Sequence, residues 1–206
     1  MKPLNILLIL SSFILFSCKK ESPPEHIDQV DNIYFYDISP DTLIHSVQYY
    51  IPNGSIYPED TNVHFLLDID SDSIADFSFA SSHYFVSQGG SSGKHYNFFC
   101  GISALSADYS IATMNNNDAK AITQGEIINN DLVFLNSAFL NVTGNMPYHF
   151  YFSGDYLAIK ITKNDVIMFG WIKLKLADRN GILIEEYAIN KANGNSIICG
   201  QKNNHQ

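Results

Sequence analysis

The chain has 206 residues, 21 of them acidic and 12 basic, for a formal net charge of −9 at pH 7. No basic stripe interrupts the acids, which excludes nucleic acid as a partner, because affinity for a phosphate backbone rests on clustered Lys and Arg. Aromatic residues reach 13% while charged residues are only 16%, a mix that favours pleated sheet over helix in a chain long enough for one domain with a real core.

The first segment opens with Met1-Lys2, continues as an apolar run over residues 4–16 and closes on Leu15-Phe16-Ser17-Cys18. A basic start, a short apolar stretch and a small residue before the cut describe a secretory signal over residues 1–17. The cysteine at the cut resembles a bacterial lipoprotein signal. That resemblance implies cleavage before Cys18, diacylglycerol on its sulfur and a place in the cell envelope, on the outer membrane. The run is about 13 residues, short of the roughly 20 that cross a bilayer as a helix, so the membrane is reached through lipid. Loss of residues 1–17 removes one lysine and takes the net charge from −9 to −10.

Residues 18–31 contain Lys19-Lys20-Glu21, Pro23-Pro24 and scattered acids, with hardly an apolar side chain before Ile27. Such a stretch buries too little to order itself and reads as a flexible tether, about 40 Å long when extended. Charges directly after a lipidated cysteine resemble the surface-export signal of Bacteroidetes lipoproteins, although two lysines stand where paired acids are usual. A generic solvated spacer is the alternative.

From residue 32 to 200 short apolar or alternating runs are separated by Asn, Gly, Asp and Ser. Candidate strands cover 33–36, 43–51, 63–69, 74–79, 83–86, 96–102 and 109–113, then 120–128, 148–152, 156–162, 166–176, 182–189 and 196–199. Many short strands with turn signals between them predict an all-β fold, an antiparallel β-sandwich of jelly-roll type. Residues 132–142 are the one stretch that suggests a short helix, and 201–206 form a disordered tail.

The strongest chemical signal is Asp68-Ile69-Asp70-Ser71-Asp72-Ser73-Ile74-Ala75-Asp76. Alternate acids in a tight loop can aim several carboxylates and one backbone carbonyl at a point. That donor set suits calcium, which takes six to eight oxygens at about 2.3–2.6 Å. The expected ligands are Asp68, Asp70, Asp72, Asp76 and the Ile74 carbonyl, and the role is structural. Hard oxygens without His or Cys favour calcium over magnesium, zinc or iron. The segment resembles the aspartate loops of calcium-binding β repeats, and less well an EF-hand, since Phe79 stands where the bidentate Glu belongs. Ser73 replaces the usual glycine, which is unfavourable if that position is left-handed. The alternative is a plain hairpin with solvated acids, whose mutual repulsion argues for a cation.

Beyond the signal, the export compartment permits a disulfide between Cys100 and Cys199. Two buried thiols in apolar strands are the alternative. Near the C-terminus, two alternating runs flank Lys163-Asn164-Asp165 and predict a hairpin. One face of its second strand carries Ile172, Leu174 and Leu176, the other Phe169, Trp171, Lys173 and Lys175. An exposed Trp171 beside Tyr156 would stack on a sugar or dock a partner, and packing under a loop or second sheet is the competing reading.

The order of the aspartate loop, Gly154-Asp155-Tyr156-Leu157, Phe169-Gly170-Trp171-Ile172-Lys173-Leu174, Glu186-Tyr187-Ala188-Ile189 and Ile197-Ile198-Cys199-Gly200 resembles an uncharacterised β-rich domain of secreted bacterial proteins. The resemblance spans about 68–200 and departs at Phe169, Lys173, Ile189 and Cys199. It implies a fold and no catalytic residue. Asp41-Thr42-Leu43 and Asp72-Ser73-Ile74 are similar to the O-glycosylation triplets of Bacteroidetes.

Enzyme signals are weak. Seven histidines are scattered without metal-ligand spacing. His83 and His95 flank a Gly-Ser loop that lacks a nucleophile elbow, and Gly93-Lys94 lacks the rest of a phosphate loop. The expected role is a non-enzymatic envelope binding module with a carbohydrate or another envelope protein as ligand. The alternative is a hydrolase of polysaccharide, which needs two carboxylates roughly 5–10 Å apart in a cleft.

Overall fold

The computed structural model describes residues 32–46, 61–86, 95–114, 117–144, 149–178 and 180–203. Cys18, the signal segment and the tether lie outside the described residues. Among the described residues fourteen strands form, with side chains alternating between faces: β1 (Ile33–His45), β2 (Thr61–Leu67), β3 (Phe77–Val86), β4 (His95–Ala104), β5 (Tyr109–Ala112), β6 (Ala121–Ile122) and β7 (Ile127–Ile128). The others are β8 (Phe134–Leu135), β9 (Ser137–Thr143), β10 (Phe150–Tyr151), β11 (Tyr156–Lys163), β12 (Val166–Ala177), β13 (Gly181–Asn190) and β14 (Ile197–Ile198).

A 7-stranded sheet runs β1-β13-β12-β11-β5-β8, with β6 also on β11, and packs on a 5-stranded sheet β10-β9-β4-β3-β2. All ladder pairings are antiparallel. The antiparallel sandwich is as the sequence predicts, with β2–β3–β4 and β11–β12–β13 as meanders, each within one sheet.

The main core lies between the sheets. It joins Phe77, Phe79, Ile102 and Leu140 of the smaller sheet to Leu157, Ile159, Ile161, Ile172, Leu174, Ile182 and Ile184 of the larger. A second core covers the outer face of the larger sheet, where Ala158, Phe169, Trp171 and Ala188 meet Ile128, Ile197 and Cys199 from the β7–β14 pair and its sequel. The larger sheet is therefore the middle layer at that end. On β11 the face opposite Leu157, Ile159 and Ile161 is accordingly buried at Tyr156 and Ala158, half-buried at Lys160 and exposed at Thr162.

The hairpin between β11 and β12 forms where the alternation places it. Lys163 pairs with Val166, leaving Asn164 and Asp165 as a two-residue loop at φ 54° and 63°, the left-handed pair that matches strand twist. Gly170 lets β12 and β13 close up: a Cβ there would lie 2.5 Å from the Ala188 carbonyl oxygen. Residues 132–142 are not helical. Asn136 interrupts them, and β8 and β9 take the two halves. Nor do residues 201–203 hang free, since the Gln201 carbonyl accepts the Trp171 Nε1–H at 3.2 Å and Lys202 meets Glu186 at 2.6 Å.

The expected disulfide is absent. Cys100 and Cys199 are free and buried, and they belong to separate cores on opposite faces of the larger sheet. Burial pushes the Cys100 thiol up to about 11 and the Cys199 thiol up to about 12, so neither is a ready nucleophile. Denatured, unreduced protein is expected to expose two alkylatable thiols, Cys100 and Cys199, by mass analysis, and native protein none. Protection persisting under denaturant would reinstate the bridge.

Candidate functional site

The aspartate loop joins β2 to β3 at one end of the sandwich, and its acids tie the backbone together. Asp76, 2% exposed, accepts the Ile69 N–H at 2.8 Å and the Asp70 N–H at 3.4 Å on Oδ2. Asp68 accepts Ser71 N–H at 2.7 Å and Ser73 N–H at 2.8 Å. Ser71 and Ser73 take φ of 65° and 71°, so the position where glycine is usual is indeed left-handed and strained for serine.

One oxygen each from Asp68, Asp70 and Asp76 comes within 4.8 Å of the others, a group that can hold a metal ion. Asp72 does not join it. Its Oδ1 accepts the Ile74 N–H at 2.9 Å, and its Oδ2 takes the Lys163 ammonium at 2.8 Å. Ile74 is exposed. The bond to Lys163 holds the Asp72 carboxyl below its ordinary value. Lys163 also donates to Asp70 Oδ2 at 3.1 Å, and the Tyr109 hydroxyl donates to the same oxygen at 3.0 Å. Burial raises the Asp76 carboxyl, with the Tyr109 and backbone hydrogen bonds opposing it.

Lys163 and Tyr109 are the residues that sequence reasoning misses. Lys163 sits in the β11–β12 hairpin, 93 positions from Asp70, and no local pattern links the two. The donors present fit a hard divalent cation, because three carboxylate oxygens converge and one belongs to a buried group whose charge has little solvation of its own.

Trp171 and Tyr156 come together, but not at the surface. Trp171 is 0% and Tyr156 8% exposed, their rings meet edge to face at 5.5 Å, and Phe35 packs on Trp171 at 6.2 Å. The exposed aromatic platform is thus overturned, and the packing alternative holds. The β7–β14 layer covers Trp171, and its short strands carry no period from which a cover can be foreseen. His83 is likewise buried and stacks on its cross-strand neighbour Phe98 at 6.1 Å.

A cleft of 610 Å³ opens beside this second core. Its walls are the β6 strand with Thr123 and Gln124, the approach to β11 with Ser153, Gly154, Asp155 and Tyr156, and Lys173 and Lys175 of β12. It exists because β12 runs on past the start of β11: Leu174 N–H still bonds the Asp155 carbonyl at 2.9 Å, but Lys175 has β13 on one side only. Glu185 binds both lysines, Lys173 at 2.9 Å and Lys175 at 2.6 Å. Partial burial alone would raise its carboxyl, yet these ammonium groups outweigh burial and hold it below the ordinary value. Burial pushes the Tyr156 phenol above its ordinary value.

Comparison with protein-family models, curated proteins and solved structures finds no match to this chain. Among the described residues no helix is long and apolar enough to cross a membrane.

Proposed function

We propose that this chain is a lipid-anchored envelope protein, held by diacylglycerol on Cys18, and works as a non-enzymatic binding module whose ligand sits in the cleft beside β6 and β12. The observation that carries the binding reading is the lining of that cleft. Among the described residues Asp155 is the one carboxylate that lines it, beside hydroxyl, amide and ammonium groups, where hydrolysis of a glycosidic bond needs two carboxylates facing each other. A polar, open cleft of this size fits a hydrophilic ligand, a carbohydrate before a protein. Protein interfaces are anchored by aromatic side chains, and here Trp171 is buried. Calcium on Asp68, Asp70 and Asp76, with backbone or water oxygens completing the shell, would hold the loop at the opening of β3 in a structural role.

The anchor and the binding role are tested separately. Metabolic labelling with a radioactive fatty acid is expected to mark the wild-type protein in the membrane fraction, and Cys18→Ser is expected to abolish both label and sedimentation. A Cys18→Ser protein that still carries lipid would remove the anchor. Glycan-array and calorimetric screening of the mature domain tests the cleft: no ligand, or a ligand unaffected by substitutions at Lys173 and Thr123, would remove the binding role.

A further inference from the structure

We infer that the open edge of the sandwich beside the aspartate loop is a second binding site, an aromatic slot that takes a small alkylated ammonium ion of the choline type, with Tyr36, Phe65 and Tyr187 around the cation and the Asp68 carboxylate beside it. The slot shares no lining residue with the cleft and stands whether or not the cleft binds a sugar.

Its place follows from how the two sheets end. β1 and β2 are edge strands, one of each sheet, and β1 leaves its register with β13 between Asp37 and Thr42. A space of 300 Å³ is walled by Tyr36 and Ile38 of β1, Phe65 and Leu67 of β2 and Tyr187 of β13, with Asp68 of the loop beside them. Tyr36 and Tyr187 are cross-strand partners and stack at 5.4 Å and 25°. Tyr34 meets Tyr187 at 6.4 Å. The hydroxyl groups are held at the loop: Tyr34 Oη lies 2.9 Å from Ser71 Oγ, and Tyr187 donates to the Asp68 carbonyl at 3.4 Å. Tyr36 stays 48% exposed, so the slot can be entered from solvent.

Rings and aliphatic side chains offer a polyol few hydrogen bonds, and a neutral apolar ligand would leave the neighbouring acid unused. An alkylated cation uses both. Its charge is drawn to a ring within about 6 Å, and its methyl groups bury against Ile38, Phe65 and Leu67. The aromatic cluster already holds one contact of this kind, the Lys191 ammonium 4.4 Å from the centre of the Tyr34 ring. The charge balance leaves room for another. The loop carries four carboxylates, Asp68, Asp70, Asp72 and Asp76. Lys163, bound to Asp70 and Asp72, and Lys191 bring two ammonium groups, so two negative charges remain. Among the described residues no ammonium pairs with Asp68, whose oxygens accept the Ser71 and Ser73 N–H groups. Its charge reaches the slot: burial raises the Tyr187 phenol, and Tyr34, Tyr36 and the Asp68 carboxylate raise it further. A lipid headgroup would bring its phosphate against these same acids, so the occupant is the free base.

NMR titration of the mature protein, in chelator so that the loop carries no ion, with choline, tetramethylammonium and the neutral choline isostere 3,3-dimethylbutan-1-ol tests this. Both cations are expected to shift the ring signals of Tyr36, Phe65 and Tyr187. The neutral alcohol is expected to bind about tenfold more weakly than choline, and choline affinity to fall as salt rises. Tyr36→Leu keeps apolar bulk without the ring and should lose about fivefold, while Tyr36→Phe should keep most of the affinity, with unchanged melting temperatures showing that the fold survives. Glycerophosphocholine should bind more weakly than choline. Equal affinity for choline and the neutral alcohol, or indifference to Tyr36→Leu, overturns the cation site, as does the absence of binding by either cation. Glycerophosphocholine binding as tightly as choline overturns the choice of a free base.

Discussion

Trp171→Ala is expected to destabilise the domain by about 3–5 kcal/mol, the usual cost of emptying a buried large aromatic site. For a domain of this size that corresponds to a drop in melting temperature of roughly 10 °C. The indole is fully enclosed, packs against Tyr156 and Phe35 and donates to the Gln201 carbonyl. The alanine variant therefore loses the packing of the second core and the latch on residues 201–203 together. Trp171→Phe keeps most of the volume and loses the N–H donor, so about 1–2 kcal/mol is expected. Urea unfolding of both variants measures this. A Trp171→Ala protein with wild-type stability would contradict the buried second core and return Trp171 to the surface.

Asp76→Ala is the second large effect. It strands the Ile69 and Asp70 N–H groups, at about 1–3 kcal/mol for a buried donor left unmet, and takes away one of the three oxygens that can hold a cation. Calcium at a hundredfold over its dissociation constant adds about 2.7 kcal/mol to a protein that binds it only when folded. Wild type should gain that shift and lose it to chelator, and neither Asp76→Ala nor Asp76→Asn should respond. Asparagine keeps an acceptor and removes the charge, so it separates cation binding from loop folding. An undiminished calcium shift in Asp76→Asn would rule out this carboxylate as a ligand.

The pH dependence carries a sign. The Asp76 carboxyl is raised from 3.8, so the metal-free folded state binds a proton more readily than the unfolded chain. Its ionisation weakens the fold above the raised value, and that burden is relieved as pH falls from there to 3.8. Asp72 is lowered from 3.8, so its contribution is present above 3.8 and is lost only as pH falls below. The two windows do not overlap. The stability difference between wild type and Asp76→Asn in chelator should therefore change between 3.8 and the raised Asp76 value, and saturating calcium should flatten that change.

The period-two runs made the strands legible, and with them the hairpin at Asn164-Asp165 and the split of Phe169 and Trp171 from Ile172 and Leu174 onto two faces. Alternation says which residues share a face, not what covers it. Ile127, Ile128, Ile197 and Ile198 form a pair of two-residue strands too short to show any period, yet this pair turns the Trp171 face into core. Residues 132–142 have the apolar density of a buried helix or of two strands, a choice that composition leaves undecided at such length. In the loop, the spacing of acids identified Asp68, Asp70 and Asp76. The diversion of Asp72 depends on a lysine from a distant hairpin, and long-range pairings of that kind leave no trace in local spacing. Compartment logic pairs Cys100 with Cys199, and the layer that separates them is a property of the assembled sheets alone.

The ammonium seated between Asp70 and Asp72 sets a threshold for the whole loop. A divalent ion arriving at the three carboxylates would meet a cation already in place on Asp70 and would have to push it aside, so occupancy is expected only where such an ion stands near the millimolar range.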